Sequence, residues 1–189
     1  MTDEMDGQGV RPPSRAGAWW RLAGPARVAL GGAAGFGVGG IFVGLAGKGM
    51  LFAFALMGAL GAASLSSVLG DWNRRIFLLL AGSLGFFIGF ALSFFIVTGF
   101  WEPPSRALEF GFIGAIGGAV GGAAMGAVLR SWRITGWLAL AGAGGFGLGL
   151  IVMGQPGLHP VPVFGIPGMV AGALMGFVAG SKRRPTEVT

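Results

Sequence analysis

The sequence predicts an all-α integral membrane protein: six transmembrane helices arranged as three repeated hairpins, pseudo-threefold about the membrane normal, with Gly-zipper packing. Composition comes first. Of 189 residues, 53% are hydrophobic and 11% charged, with a mean hydropathy of +0.76, whereas soluble domains average roughly 25% charged residues. Six apolar stretches, at 28–47, 50–70, 76–99, 108–129, 134–153 and 163–180, mostly approach the ~20 residues needed to cross a bilayer core. Finally, the 40 glycines are mixed with Leu, Ile, Val, Ala and 16 Phe, not with the Ser and Gln of flexible linkers.

The elements follow in order. Residues 1–25, with Asp3, Glu4, Asp6 and "RPPSR", read as a disordered or interfacial cytoplasmic tail, with Trp19 and Trp20 in the headgroup region. The transmembrane domain covers 26–180, with hairpins at 26–70, 76–129 and 134–180; residues 181–189 form a basic cytoplasmic tail. The spans are separated by "GK" at 47–48, "DWNRR" at 71–75, "WEPPSR" at 101–106, "RSWR" at 130–133 and "QPGLHPVP" at 155–162. In the sixth span Pro167 falls within the first turns and is expected to start or kink the helix.

The cations set the orientation. With both termini on one side, that side holds Arg11, Arg15, Arg21, Arg27, Arg74, Arg75, Arg130, Arg133, Lys182, Arg183 and Arg184; the other holds Lys48 and Arg106. Such a bias places both termini in the cytoplasm and the chain, as a multi-pass protein, in the cell (inner) membrane. Trp72 and Trp132 fall at cytoplasmic helix ends, as interfacial belts require. With Arg74, Arg75, Arg130, Arg133, Lys182 and Arg183 they form the expected membrane-interface set, with anionic headgroups as partners.

"GGAAGFGVGG" (31–40), "AGSLGFFIGF" (81–90) and "AGAGGFGLGL" (141–150) share a Gly-Phe pair followed by Gly three residues after the Phe. The even-numbered helices align as well: 58–72 and 168–182 both match 118–132 without gaps. Two-helix units keep one orientation, so three copies are expected around an axis along the membrane normal. The repeat also argues against residues 1–47 being a cleaved signal, which would remove one of three matching units.

Lipid tails are as apolar as Leu, so helices in lipid associate through close van der Waals contact, which small residues permit. Series of small residues spaced by four stay on one slowly drifting helix face. The expected packing positions are Gly31, Gly35, Gly39, Gly85, Gly89, Gly145 and Gly149 on odd helices. On even helices they are Gly58, Gly114, Gly118, Gly122, Gly126, Gly168, Gly172, Gly176 and Gly180.

The same glycines spell G-x-G-x-x-G at Gly35, Gly37 and Gly40, and again at Gly142, Gly144 and Gly147. Neither copy follows a strand, and neither has an acidic residue about twenty positions on, so a dinucleotide site is rejected. Gly47–Lys48 lacks the first Gly and the Ser or Thr of a phosphate loop. The chain has no Cys and one His, His159, which excludes disulfides and thiolate metal sites. His159 reads as a solvated loop residue. No span carries an ionisable residue at its centre, where pumps place theirs. Glu109 and Arg106 read as an interfacial pair, and Ser64, Ser66, Ser67, Ser83, Ser93 and Thr98 as small packing residues. No catalytic, cofactor or metal site is expected, and no nucleic acid partner.

Through the G-x-x-x-G-x-x-x-G runs at 114–126 and 168–180, the chain resembles the glycine-zipper polytopic membrane proteins of bacteria. Three hairpins also invite comparison with mitochondrial carriers, but their Pro-x-acidic-x-x-basic motif is missing from the odd-helix ends. Two function classes follow. One is a non-enzymatic structural or assembly component that packs against itself, as a homo-oligomer, or against a membrane-protein partner. The other is a passive channel or transporter for a small uncharged solute or ion.

Overall fold

The computed structural model describes residues 15–66, 72–101, 103–153 and 157–181, and only the backbone of 15–23 and 153. Among them lie six α-helices: α1 (Arg15–Leu45), α2 (Met50–Leu65), α3 (Trp72–Phe100), α4 (Arg106–Val128), α5 (Trp132–Met153) and α6 (Pro160–Gly180). A single 3-10 turn, Gly47–Gly49, joins α1 to α2. All six helices are long and apolar enough to cross a membrane, which marks a polytopic membrane protein.

Local chemistry explains most boundaries. Gly47 takes φ +51°, a left-handed conformation that glycine adopts at no steric cost, and this lets the chain reverse tightly between α1 and α2. At the start of α4 the Ser105 hydroxyl accepts the Leu108 amide at 3.3 Å, and Glu109 lies in the first turn, where the helix dipole favours a carboxylate. Before α5, the Ser131 carbonyl accepts both the Thr135 amide at 2.9 Å and the Thr135 hydroxyl at 3.1 Å.

The largest differences from the sequence reading are at the starts of α1, α3 and α6; α3 begins at Trp72, within the break assigned to 71–75. The chain is already helical at Arg15, inside the stretch assigned to the 1–25 tail. Arg15, Ala16, Ala18, Arg21, Leu22 and Ala23 favour a helix, and α1 runs on through Pro25. Helix α6 begins at Pro160, where a missing amide removes no helical hydrogen bond, with His159 as its cap. Pro167 therefore lies in the helix interior, buried. Its ring faces Gly149, where an added Cβ would stand 2.7 Å from the Pro167 Cβ.

Each helix packs on its neighbours in sequence, and α6 packs back on α1. The result is a closed ring in chain order, with antiparallel neighbours. Its interior is filled by phenyl rings. Phe36 on α1, Phe86 on α3 and Phe146 on α5 meet one another, with centroids 5.2, 5.5 and 6.1 Å apart. A second level holds Phe90 and Phe54, stacked at 3.6 Å, with Phe164 edge-on to Phe54 at 5.9 Å. All six rings are buried. Glycines on the even helices make room: a Cβ on Gly61 would strike the Phe36 ring, one on Gly121 the Phe86 ring, and one on Gly117 the Phe90 ring.

The helix contacts fall into two sets. Within hairpins, a Cβ on Gly35 would lie 2.6 Å from the Leu60 carbonyl oxygen, one on Gly85 2.6 Å from the Ala124 Cβ, and one on Gly145 would collide with Ala171. Gly39 approaches Met57, and Gly89 approaches Gly117. Between hairpins, backbone meets backbone: Gly58 faces Gly82 across α2–α3, Gly118 faces Gly142 across α4–α5, and Gly172 faces Gly32 across α6–α1.

That last pair differs from the aligned sequence windows, which put Gly168 opposite Gly32. Gly168 lies instead against the Phe36 carbonyl, Gly176 against Val28 and Gly180 against Pro25. The α6–α1 seam is displaced by four residues, about 6 Å of helix rise. Gly168, Gly172, Gly176 and Gly180 repeat every four residues, so a slip of one turn puts another glycine at each contact.

Candidate functional site

Ser64, Ser66, Ser93 and Thr98 turn their hydroxyls to their own helices, while Ser67 lies outside the described residues. Ser93, fully buried, donates to the Phe90 carbonyl at 2.8 Å. Ser64 donates to Gly61 at 2.7 Å, Ser66 to Ala63 at 2.6 Å and Thr98 to Phe94 at 2.6 Å. Intrahelical bonding of this kind satisfies a hydroxyl in lipid and leaves it little capacity to line a path. Groups of three or more potential metal-binding His, Asp or Glu side chains are absent among the described residues.

Of the expected packing glycines, Gly35, Gly39, Gly85, Gly89, Gly145 and Gly149 lie at close approaches across α1–α2, α3–α4 and α5–α6, and Gly58, Gly114, Gly118, Gly122, Gly126, Gly168, Gly172, Gly176 and Gly180 across α2–α3, α4–α5 and α6–α1. Gly31 differs: a Cβ there would come no closer than 3.7 Å to Ser64, an ordinary contact. Its neighbour Gly32 takes the close approach, since α1 presents a second small-residue face to α6. Gly32, Gly82 and Gly142, and the ring-facing Gly61, Gly117 and Gly121, were missed by a search for single four-spaced series on each helix. The recurring Gly-Phe pair was the available signal for the axial rings.

The chemically richest region is the end where α4 finishes and α3 and α5 begin, here called the basic end. Trp72 is 69% exposed and Trp132 92% exposed, and Arg74, Arg130 and Arg133 are exposed beside them. Arg75 is half-buried. Lys182 and Arg183 lie outside the described residues. A cleft of about 600 Å³ opens between the first turn of α3 and the last turn of α4, lined by Asn73, Arg74, Phe77, Ala127, Val128 and Arg130. A second cleft of about 340 Å³ shares Ala127 and Arg130 with it and continues to Ser131, Trp132 and Thr135.

Arg130 ends α4 in the left-handed region, at φ +52°. A residue with a Cβ pays roughly 1–2 kcal/mol for that conformation, which glycine adopts freely. In the aligned windows the matching positions are Gly70, outside the described residues, and Gly180, which is helical in α6. This strain was not legible in the sequence, where Arg130 stood as one interface cation among several.

At the opposite end, Lys48 sits in the 3-10 turn and Arg106 is exposed at the start of α4. The exposed His159 accepts the Val161 amide on Nδ1 at 3.3 Å, which makes it a helix cap as well as a loop residue. No family model, curated protein or solved structure matches the chain.

Proposed function

We propose that the protein is a non-catalytic structural or assembly component of the membrane, a rigid bundle that acts through its outer surface. One observation carries this: the phenyl rings of Phe36, Phe86 and Phe146 meet on the axis of the helix ring. A passive path along that axis would require all three to move.

The finer reading treats the bundle as three like-oriented hairpins, pseudo-threefold about the membrane normal and held by glycine zippers. It is supported by one Gly-Phe contributed to the axis from each odd helix, and by carbonyl-to-glycine contacts at all three seams between hairpins. With both termini and the basic end in the cytoplasm of a cell (inner) membrane, the arginines face anionic headgroups. The partner is a second copy or another membrane protein, met across the exposed apolar belt that includes Phe52, Phe77 and Phe95.

The test joins two measurements on the purified full chain. Solute and ion flux across reconstituted liposomes should equal that of empty vesicles, and mild solubilisation should recover a stoichiometric oligomer or partner. Flux from the isolated chain would overturn the proposal.

A further inference from the structure

Helix α6 opens on "HPVP", residues 159–162, with His159 as N-cap. The amides of the first three helical residues have no carbonyl partner inside a helix. Here two of those positions are Pro160 and Pro162, which carry no N–H, so Val161 alone needs an acceptor. It donates to Nδ1 of His159 at 3.3 Å. A ring nitrogen accepts only while it is unprotonated, and the charged ring donates from both nitrogens. We propose that His159 is a pH-sensitive cap. Neutral, it closes the first turn of α6 against α1; protonated, it releases that turn, so acid in the aqueous space at this end loosens the α6–α1 seam.

Protonation acts twice in the same direction. It removes the acceptor of the Val161 amide, and it puts a positive charge at the positive end of the helix dipole. The turn has little room to find another arrangement. A Cβ on Gly44 of α1 would stand 2.7 Å from the Val161 Cα and 2.8 Å from its nitrogen, so α1 covers one side of the amide. One turn deeper, Gly40 lies against the Phe164 carbonyl. The capped turn is therefore the end rung of the closing seam.

His159 itself is exposed, so protons reach it from water. Histidine is the side chain whose ordinary charge change falls between about pH 5 and 8, and the chain has one. The helices packed on α6 bring no competing group. The last two turns of α1 (39–45) and of α5 (147–153) hold no titratable side chain, and neither does α2. The other described charges at this end are Lys48 in the 3-10 turn, and Arg106 and Glu109 at the start of α4. Lysine and arginine ordinarily stay charged across this range, and Glu109 is common to all the variants compared below.

The test is hydrogen exchange of the full chain in detergent, read by mass spectrometry on the peptide that carries Val161 and Val163. Wild type, His159→Asn and His159→Ala are compared near pH 5 and near pH 8, either side of the ordinary imidazole range. Asparagine keeps a capping acceptor that does not titrate, and alanine has none. Rates are taken relative to His159→Asn at the same pH, which cancels the intrinsic pH dependence of exchange. At the higher pH wild type should match His159→Asn, with His159→Ala about fivefold faster, the size of an ordinary N-cap contribution. At the lower pH wild type should itself become about fivefold faster and match His159→Ala.

Wild type matching His159→Asn at both pH values would overturn the switch, because the charge on the ring would not reach the turn. Wild type matching His159→Ala at both would overturn the cap itself. Three equal rates throughout would mean that the seam holds the turn without a cap, and would overturn the proposal as well.

Discussion

The α4–α5 and α6–α1 seams use one material and two registers. In both, glycines spaced a turn apart lie under the carbonyls of the facing helix: Gly118 under Gly142 and Gly122 under Leu138, Gly172 under Gly32 and Gly176 under Val28. The first seam keeps the register of α2–α3, whereas the second is shifted by one turn. A glycine ladder therefore specifies which face is buried and how closely backbones approach. It specifies height only modulo one turn, and the bulky groups between the rungs choose among the heights. At the closing seam those include Met169, against which an added Cβ on Gly37 would collide.

The strongest way to break the comparison is to fill a rung. Gly118→Leu and Gly172→Leu each drive a side chain into a backbone carbonyl, which cannot rotate away. Both should fail to give monodisperse protein on size exclusion, whereas Gly31→Ala should behave as wild type. Failure of only one would mean that the two seams differ in tightness as well as height. Next, Phe86→Ala removes a ring shared by the whole axis and should lower stability by about 3–5 kcal/mol. Thermal unfolding in detergent reads this, and a change under about 1 kcal/mol would show that the axis is not a packed core.

Arg130→Gly should act in the other direction, raising stability by about 1 kcal/mol as the left-handed strain is relieved. A fall in the same thermal assay would mean that the arginine side chain stabilises more than its backbone costs. The smallest perturbation tests register directly. A Cβ on Gly165 would lie 3.4 Å from Ile41 Cγ1, the position a cysteine sulfur would take, close to the roughly 3 Å that separates a Cβ from the opposite sulfur in a disulfide. In this cysteine-free chain, Ile41→Cys with Gly165→Cys should oxidise with stability almost unchanged. The pair Ile41→Cys with Val161→Cys, which the unshifted register would bring together, should stay reduced on a gel-shift assay.

The six spans were legible because hydropathy and chain breaks are local: "WEPPSR" and "RSWR" cover the chain between helices, and the "WNRR" of 72–75 opens α3. The face that each four-spaced glycine series shares was legible too, since that spacing fixes a face. The register of α6 was not, because its rungs look alike after a one-turn slip. The start of α6 was misplaced because Pro167 was weighed as a breaker, while Pro160, preformed for a first turn, was the real signal. The arginines at the basic end were read from the sequence only as a class of interface cations. That Arg74 and Arg130 share a cleft depends on how the start of α3 meets the end of α4, and on a dihedral angle that composition does not encode.

The contact between α1 and α6 joins the earliest made of the six described helices to the latest of them. Until α6 is inserted, the rungs at Gly32 and Gly40 face lipid or whatever neighbour diffuses by. An α6 belonging to another nascent chain offers the same rungs at the same spacing. Crowding of unfinished chains therefore favours exchanged pairs in which two molecules close each other's rings, and slow, dilute synthesis favours closure within one.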